Sequence, residues 1–268
     1  MTKPVRVFPR RTALTPTDDM AYVGDPPMFL PEADEVHVSV TFTWDIPEGE
    51  RLVKAWGQYY PVKVGGPAMG SRANGFEPGL YVRNGVTFTS RGCNNQCPWC
   101  LVPPREGRLT EITDFAAGNR VQDNNLLQCS RSHLDKVFTM LRTQRAVEFT
   151  GGLDARLVTG EIADDIRGLR LKQIFLACDT DNGLGPLERA IKVLQLPRDK
   201  VRCYVLLAFG TTIDQCEERL RAIWRVGAMP FAQLYQPPER YIDYSQEWRQ
   251  LQRTWCRPPA MKAHMRAL

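Results

Sequence analysis

The chain has 268 residues, 43% hydrophobic and 24% charged, with a formal net charge of +5. This suits one large globular domain, or one with a small appendage, and gives enough apolar surface for a sizeable core. No apolar run approaches the length of a membrane span and the amino terminus shows no secretory pattern, so a cytoplasmic protein without membrane association is expected. The mild positive charge permits an anionic substrate without demanding one.

Residues 1–33 hold six prolines, at 4, 9, 16, 26, 27 and 31, and are expected to be irregular, with at most a short strand at 21–24. Residues 35–42 alternate as a strand does. Pro47, Glu48, Leu52, Val53 and Trp56 then mark a helix, and 61–64 a second strand ending in Gly65-Gly66-Pro67. Gly65–Gly70 is no P-loop, because no Gly-Lys-Ser/Thr follows. The expected organisation is a small α/β unit over 1–85, a main α/β domain over 86–240 and a basic tail over 241–268.

Within the main domain, 86–90 reads as a strand, followed by Cys93, Cys97 and Cys100 within eight positions. A short strand at 120–122 ends in Asp123-Asn124-Asn125. Ser132, with Asp135 three residues on, marks a helix start, and Leu134, Val137, Phe138 and Leu141 follow helical spacing. Residues 146–150 form a strand broken by Gly151-Gly152, with a helix marked by Ile162, Ile166 and Leu169 behind it. Residues 173–178 end in Asp179-Thr180, and Pro186 opens the next helix. The strand at 201–209, a helix capped by Thr212 and Gln215, a last strand at 230–235 and a helix with Trp248, Leu251 and Trp255 complete the chain. Six strands alternating with helices predict a parallel sheet with helices outside.

The eight cysteines carry the chemistry. None precedes Cys93, five are scattered singly, and four of these (Cys129, Cys178, Cys203 and Cys216) are expected to be small buried hydrophobes. Structural zinc wants four ligands in two close pairs, and none of the three histidines (His37, His133, His264) lies beside the trio. On a four-iron cluster, three cysteines leave one iron open, as catalysis requires and a purely structural site avoids.

Cys93, Cys97 and Cys100 in the spacing CxxxCxxC, with aromatic Trp99 before the last, resemble the signature of the radical SAM superfamily. The resemblance implies a [4Fe–4S] cluster on these three cysteines and S-adenosylmethionine chelated at the open iron. It implies reductive cleavage of that cofactor to a 5′-deoxyadenosyl radical, which abstracts hydrogen from a substrate. It also implies a partial six-stranded (β/α)6 barrel and a flavodoxin- or ferredoxin-like electron donor. The strand-end rule for such barrels selects Asp123, Asn124, Asn125, Gly151, Gly152, Asp154, Arg156, Asp179 and Thr180, with Gly210-Thr211, and cofactor contacts are expected at the first nine. In the family a Gly-Gly-Glu segment after the second strand binds the cofactor's ammonium. Asp123 and Asn125 match that place by strand count, while Gly151-Gly152, followed here by Leu153, match by residue type. Asp179 stands where the family often contacts the ribose, and Trp99 where it packs beside adenine. Helix capping is the plain alternative for each polar strand end.

Two finer likenesses follow. The amino-terminal unit resembles a trimmed cobalamin-binding domain over residues 20–70; it lacks the Asp-x-His-x-x-Gly ligand motif, so no cobalamin is expected. Arg91-Gly92-Cys93-Asn94-Asn95 and Leu101–Gly107 resemble the loop of methylthiotransferases, but the three further amino-terminal cysteines of those enzymes are absent. Two other readings stand beside a radical enzyme of unidentified substrate. One applies the same chemistry to a nucleic acid, held by Trp248, Trp255, Arg249 and Arg253 of the basic tail. The other is a non-catalytic iron–sulfur or zinc scaffold.

Overall fold

A computed structural model describes residues 4–69 and 80–267. Residues 1–3, 70–79 and 268, parts of the expected first unit and tail, lie outside the described residues. The chain divides into two compact units, one up to Val86 with Pro238–Tyr241, the other Thr87–Pro237 with Ile242–Leu268.

The first unit is a parallel sheet of β1 (Val5–Phe8), β2 (Ala21–Val23), β3 (Val36–Ser39) and β4 (Val62–Gly65), in the order β2-β1-β3-β4. One helix, α1 (Ile46–Trp56), crosses from β3 to β4. Leu52 and Trp56 of α1 close on Val5, Val7, Val36, Val38 and Val40. Gly49 allows the helix to come this near, since a Cβ there would stand 2.5 Å from Val40 Cγ2. The expectation of an irregular start is corrected: Val5-Arg6-Val7-Phe8 is a wholly buried inner strand. Pro4 and Pro9 bracket it instead of breaking it, which strand ends tolerate.

The second unit is built on six strands: β5 (Val86–Thr87), β8 (Arg120–Val121), β9 (Val147–Leu153), β10 (Leu171–Ala177), β11 (Val201–Leu207) and β12 (Met229–Leu234). Each lies beside its predecessor, and the pairs from β8 to β12 are parallel. Stepwise order with same-handed crossovers sends every connecting helix to one face. There α3 (Arg131–Arg142), α4 (Gly160–Arg167), α5 (Leu184–Leu194) and α6 (Ile213–Arg225) bury Leu134, Phe138, Ile166, Leu187 and Leu220 against Phe149, Ile174, Cys203 and Val205. Residues expected as a separate tail form α7 (Gln246–Cys256) and α8 (Pro258–Arg266), and their Leu251, Trp255 and Met261 join this same core.

Three local expectations are corrected. The first strand is shorter than 86–90, because Ser90–Arg91 (β6) leaves the sheet to pair antiparallel with Thr110–Glu111 (β7). The cap of α3 is Ser130, whose Oγ accepts from His133 N at 3.3 Å, and not Ser132. Gly151-Gly152 do not break β9; the strand runs through them with an irregular register against β10. Among the described residues, no helix is long and apolar enough to cross a membrane.

Candidate functional site

The carboxyl ends of β8 to β11 and the cysteine loop make one polar edge of the second unit. The loop is tied at its neck by the β6–β7 pairing. Glu106, at the end of the short helix α2 (Val102–Glu106), pairs with Arg91 at 2.9 Å and accepts from Gly92 N at 3.3 Å. Cys93 N donates to Gly107 O at 3.2 Å. Gly92 has φ +77°, and a Cβ on it would stand 2.2 Å from Arg108 O, so only glycine fits.

Polar side chains then shape the loop from outside. Gln128 accepts from Asn94 N at 2.8 Å and donates to Asn95 Oδ1 at 3.1 Å. Leu109 N donates to Asn94 Oδ1 at 3.2 Å, and Asn95 Nδ2 to Asp154 Oδ2 at 3.1 Å. Sequence reasoning passed over Asn95, Glu106 and Gln128. The Asn-Asn pair inside the cysteine motif was a usable signal; Gln128, 28 residues past Cys100, gave none.

Cys93, Cys97 and Cys100 are free and half-exposed, whereas Cys129, Cys178, Cys203 and Cys216 are buried. Donors already point at two of the three sulfurs. Cys93 Sγ accepts from Asn95 N at 3.4 Å and Asn125 Nδ2 at 3.6 Å, and Cys100 Sγ from Val102 N at 3.5 Å. Burial pushes the Cys97 and Cys100 thiols up, and the neighbouring Cys93 and Asp179 add to it at both. Among the described residues, no three His, Cys, Asp or Glu side chains converge closely enough for a single metal ion. A four-iron cluster asks something different, one cysteine per iron. Three thiols on one tied loop, with amide donors on two of their sulfurs, suit that donor set.

The strand-end residues divide into those that hold the edge together and those that leave groups free. Asp123 belongs to the first kind. Its carboxylate accepts from Thr89 N at 2.7 Å, Ser90 Oγ at 2.8 Å and the Thr89 hydroxyl. Burial pushes this carboxyl up while those donors pull it down. Asn124 Oδ1 accepts from Gly92 N at 3.2 Å, and among the described residues buried Asn125 keeps Oδ1 without a partner beside Cys93. Gly151 is needed for packing, since a Cβ there would stand 1.8 Å from Asp123 O. Gly152, φ +96°, faces the Tyr204 ring.

No family model matches the chain, and no curated protein matches it either.

On the far side of the loop, burial opposes ionisation of Asp154, but donors from Arg156 and Asn95 outweigh it and bring its pKa down to about 2. Arg156 meets Asp154 at 2.6 Å and is otherwise largely exposed, with Cys97 and Cys93 in its field. Asp179 Oδ1 accepts from Leu206 N at 2.8 Å, its carbonyl accepts from Arg219 at 2.8 Å, and its carboxylate accepts from Trp99. Burial pushes that carboxyl up against these contacts. Asp179 caps no helix. Trp99 sets its ring edge-on to Phe209 at 5.5 Å. Thr180 is exposed and makes no capping bond. In the tail, Trp255 is fully buried and Arg249 pairs with Asp243, while Trp248 is half-buried and Arg253 exposed. His37 of the first unit is bonded through both ring nitrogens, to Tyr81 at 2.6 Å and Glu35 at 2.8 Å.

Proposed function

We propose that this chain is a radical SAM enzyme on a partial (β/α)6 barrel, acting on a substrate of unidentified class. The observation that carries the reading is the gathering of Cys93, Cys97 and Cys100 on one tied loop at the carboxyl edge of a stepwise parallel sheet. The three thiolates would hold a [4Fe–4S] cluster and leave one iron for S-adenosylmethionine. When bound, such a cluster supplies one electron to the sulfonium, which releases methionine and a 5′-deoxyadenosyl radical.

The protein's own part is binding and orientation. Asn95 N, Asn125 Nδ2 and Val102 N donate to the sulfurs and stabilise their negative charge. Arg156 presents an exposed guanidinium suited to the cofactor's carboxylate. Asn125 Oδ1, a buried acceptor without a partner among the described residues, suits its ammonium. Asp123 is committed to Thr89 and Ser90 and is assigned to holding the loop base. Asp179, fixed by Leu206 and Trp99, braces the loop's third cysteine against the fourth strand.

Anaerobic reconstitution with iron and sulfide, reduction with dithionite and incubation with S-adenosylmethionine tests this. Iron content and 5′-deoxyadenosine are the readouts. The wild type should hold a four-iron cluster and form 5′-deoxyadenosine, and Cys93→Ala, Cys97→Ala and Cys100→Ala should each lose both. Tightly held zinc would end the reading. A full cluster with no cofactor cleavage would favour the scaffold.

A further inference from the structure

The first unit holds up an apolar hook. Met28 is 90% and Phe29 86% exposed, with Leu30 beside them at 41%. Exposure of this order at adjacent large side chains is unusual, because each returns a full apolar surface to water. The hook is rigidly presented. At its base Trp56 Nε1 donates to Gly24 O at 3.0 Å and Arg51 meets Asp25 at 2.6 Å; at its far end the Tyr60 hydroxyl donates to Pro31 O at 2.6 Å. Pro26, Pro27 and Pro31 further limit its conformations. A loop already fixed in its shape loses little entropy on docking.

Its surroundings are acidic. Residues 18–50 contain nine Asp and Glu and no Lys or Arg, in a chain of net charge +5; Arg6, Arg10, Arg51 and Lys63 from outside the stretch pair into it, which leaves it with those partners at net −5. Next to the hook, Asp25 and Glu48 share the single guanidinium of Arg51, which leaves that trio at net −1, and exposed Glu32 adds another negative charge. A negative rim opposes insertion into a bilayer of anionic lipid. It favours a socket that is apolar within and basic at its edge.

The second unit carries such a socket. A groove of about 650 Å³ has Trp224, Met229 and Met265 as its apolar lining. Arg198, Lys262 and Arg266 stand at its edge against one carboxylate, Asp199. Arg198 lies 4.4 Å over the Trp224 ring. Two methionines give the lining the adaptability that suits an inserted Phe or Met.

We propose that the Met28-Phe29-Leu30 hook of one copy docks into the Trp224–Met229–Met265 groove of a second copy, its acidic rim against Arg198, Lys262 and Arg266. The contact is heterologous: each copy offers one hook and one groove, so the assembly is a ring or an open chain. It does not depend on the cysteine site.

Sedimentation velocity of the full-length protein across the micromolar range tests this. The wild type should associate with rising concentration and dissociate as salt is raised, because the rim charges are exposed. Met28→Ser/Phe29→Ser should raise the dissociation constant about tenfold or more, the factor expected for returning one large apolar side chain to water, and Lys262→Glu/Arg266→Glu should do so by setting like charges against the acidic rim. All four positions are exposed, and far-ultraviolet circular dichroism checks that each variant keeps its fold. The decisive sample mixes the two double variants. One retains an intact groove and the other an intact hook, so the mixture should form dimers, and only dimers, although each variant alone is monomeric. A monomeric wild type, association unchanged by the hook variant, or a mixture that stays monomeric would overturn the proposal. A monomer that binds vesicles through Phe29 would replace it with a lipid surface.

Discussion

Replacing Gly151 by alanine separates a packing role for the Gly-Gly pair from a role in cofactor binding. The new Cβ would lie 1.8 Å from Asp123 O, where real Cβ contacts essentially never fall under 3.0 Å. The end of β8 must therefore move from β9 by at least 1.2 Å, the difference of those two distances. The Cβ is fixed directly to Cα and Asp123 O is backbone, so no flexible side chain can yield. The shift strains the bond from Glu148 N to Asn119 O, now 2.7 Å, and the Asp123 tether to Thr89. Overpacking of this kind costs about 1–3 kcal/mol, a lost hydrogen bond adds about 1, and the stiffer unfolded chain returns about 0.4–1. The net is about 1–3.5 kcal/mol, which lowers Tm by about 2–14 °C in a unit of this size. Gly210→Ala is the control: φ is +65° but nothing lies within 4 Å of the added Cβ, so only strain of about 1 kcal/mol is expected. Scanning calorimetry of the metal-free protein reads both. A Gly151→Ala protein that melts like the wild type but binds S-adenosylmethionine poorly would refute the packing argument and make the glycine a cofactor contact.

Asp123→Asn replaces an accepting oxygen by an NH2 donor that faces the Thr89 and Ser90 donors and should cost about 2–4 kcal/mol in urea unfolding; an unchanged midpoint would show that the carboxylate is not the tether. Asp154 has a folded pKa of about 2 against the ordinary 3.8, so its ionised form is favoured by folding. That contribution is complete above pH 3.8 and fades as pH falls toward 2. With Arg156 largely exposed it amounts to about 1 kcal/mol, and the stability gap between wild type and Asp154→Asn should narrow between those pH values. A gap that stays flat would mean the ion pair is not its source. Cys178 is buried with its pKa pushed up to about 12 by desolvation, so Cys178→Ala should leave reconstituted iron content unchanged and cost about 1 kcal/mol. A loss of iron would make Cys178 a ligand.

The repeating strands and helices of the second unit were legible because their apolar spacing is regular and their stops are glycine or acid–amide runs. What escaped reading lies where two local signals compete. Val5-Arg6-Val7-Phe8 hid between prolines, and its central residue is an arginine buried through bonds to Leu80 O and Asp18, partners 74 and 12 residues away. Ser130 and Ser132 are equally good caps by type; the choice fell to Ser130, which is also bonded to Glu111 at 3.1 Å. Gly151-Gly152 reads as a strand break, yet the sheet needs the missing side chain to admit the end of β8. The terminal helix α8 opens on two prolines, which its first turn accepts but which the sequence shares with loops. At the site, the cysteines were legible from spacing alone. The roles of Asp123 and Asp179 were not, because they depend on Thr89, Ser90 and Leu206 from other strands.

The neck formed by Glu106, Arg91, Gly92 and Gly107 has a consequence for durability. Closing a free loop of about 16 residues costs on the order of 2–3 kcal/mol of chain entropy. Here folding has already met that cost through backbone and carboxylate contacts that involve no thiol. The three sulfurs therefore stay on one closed loop whether or not anything is bound to them. If they hold the proposed cluster, its oxidative loss leaves a loop that refills without refolding once the sulfurs are reduced again.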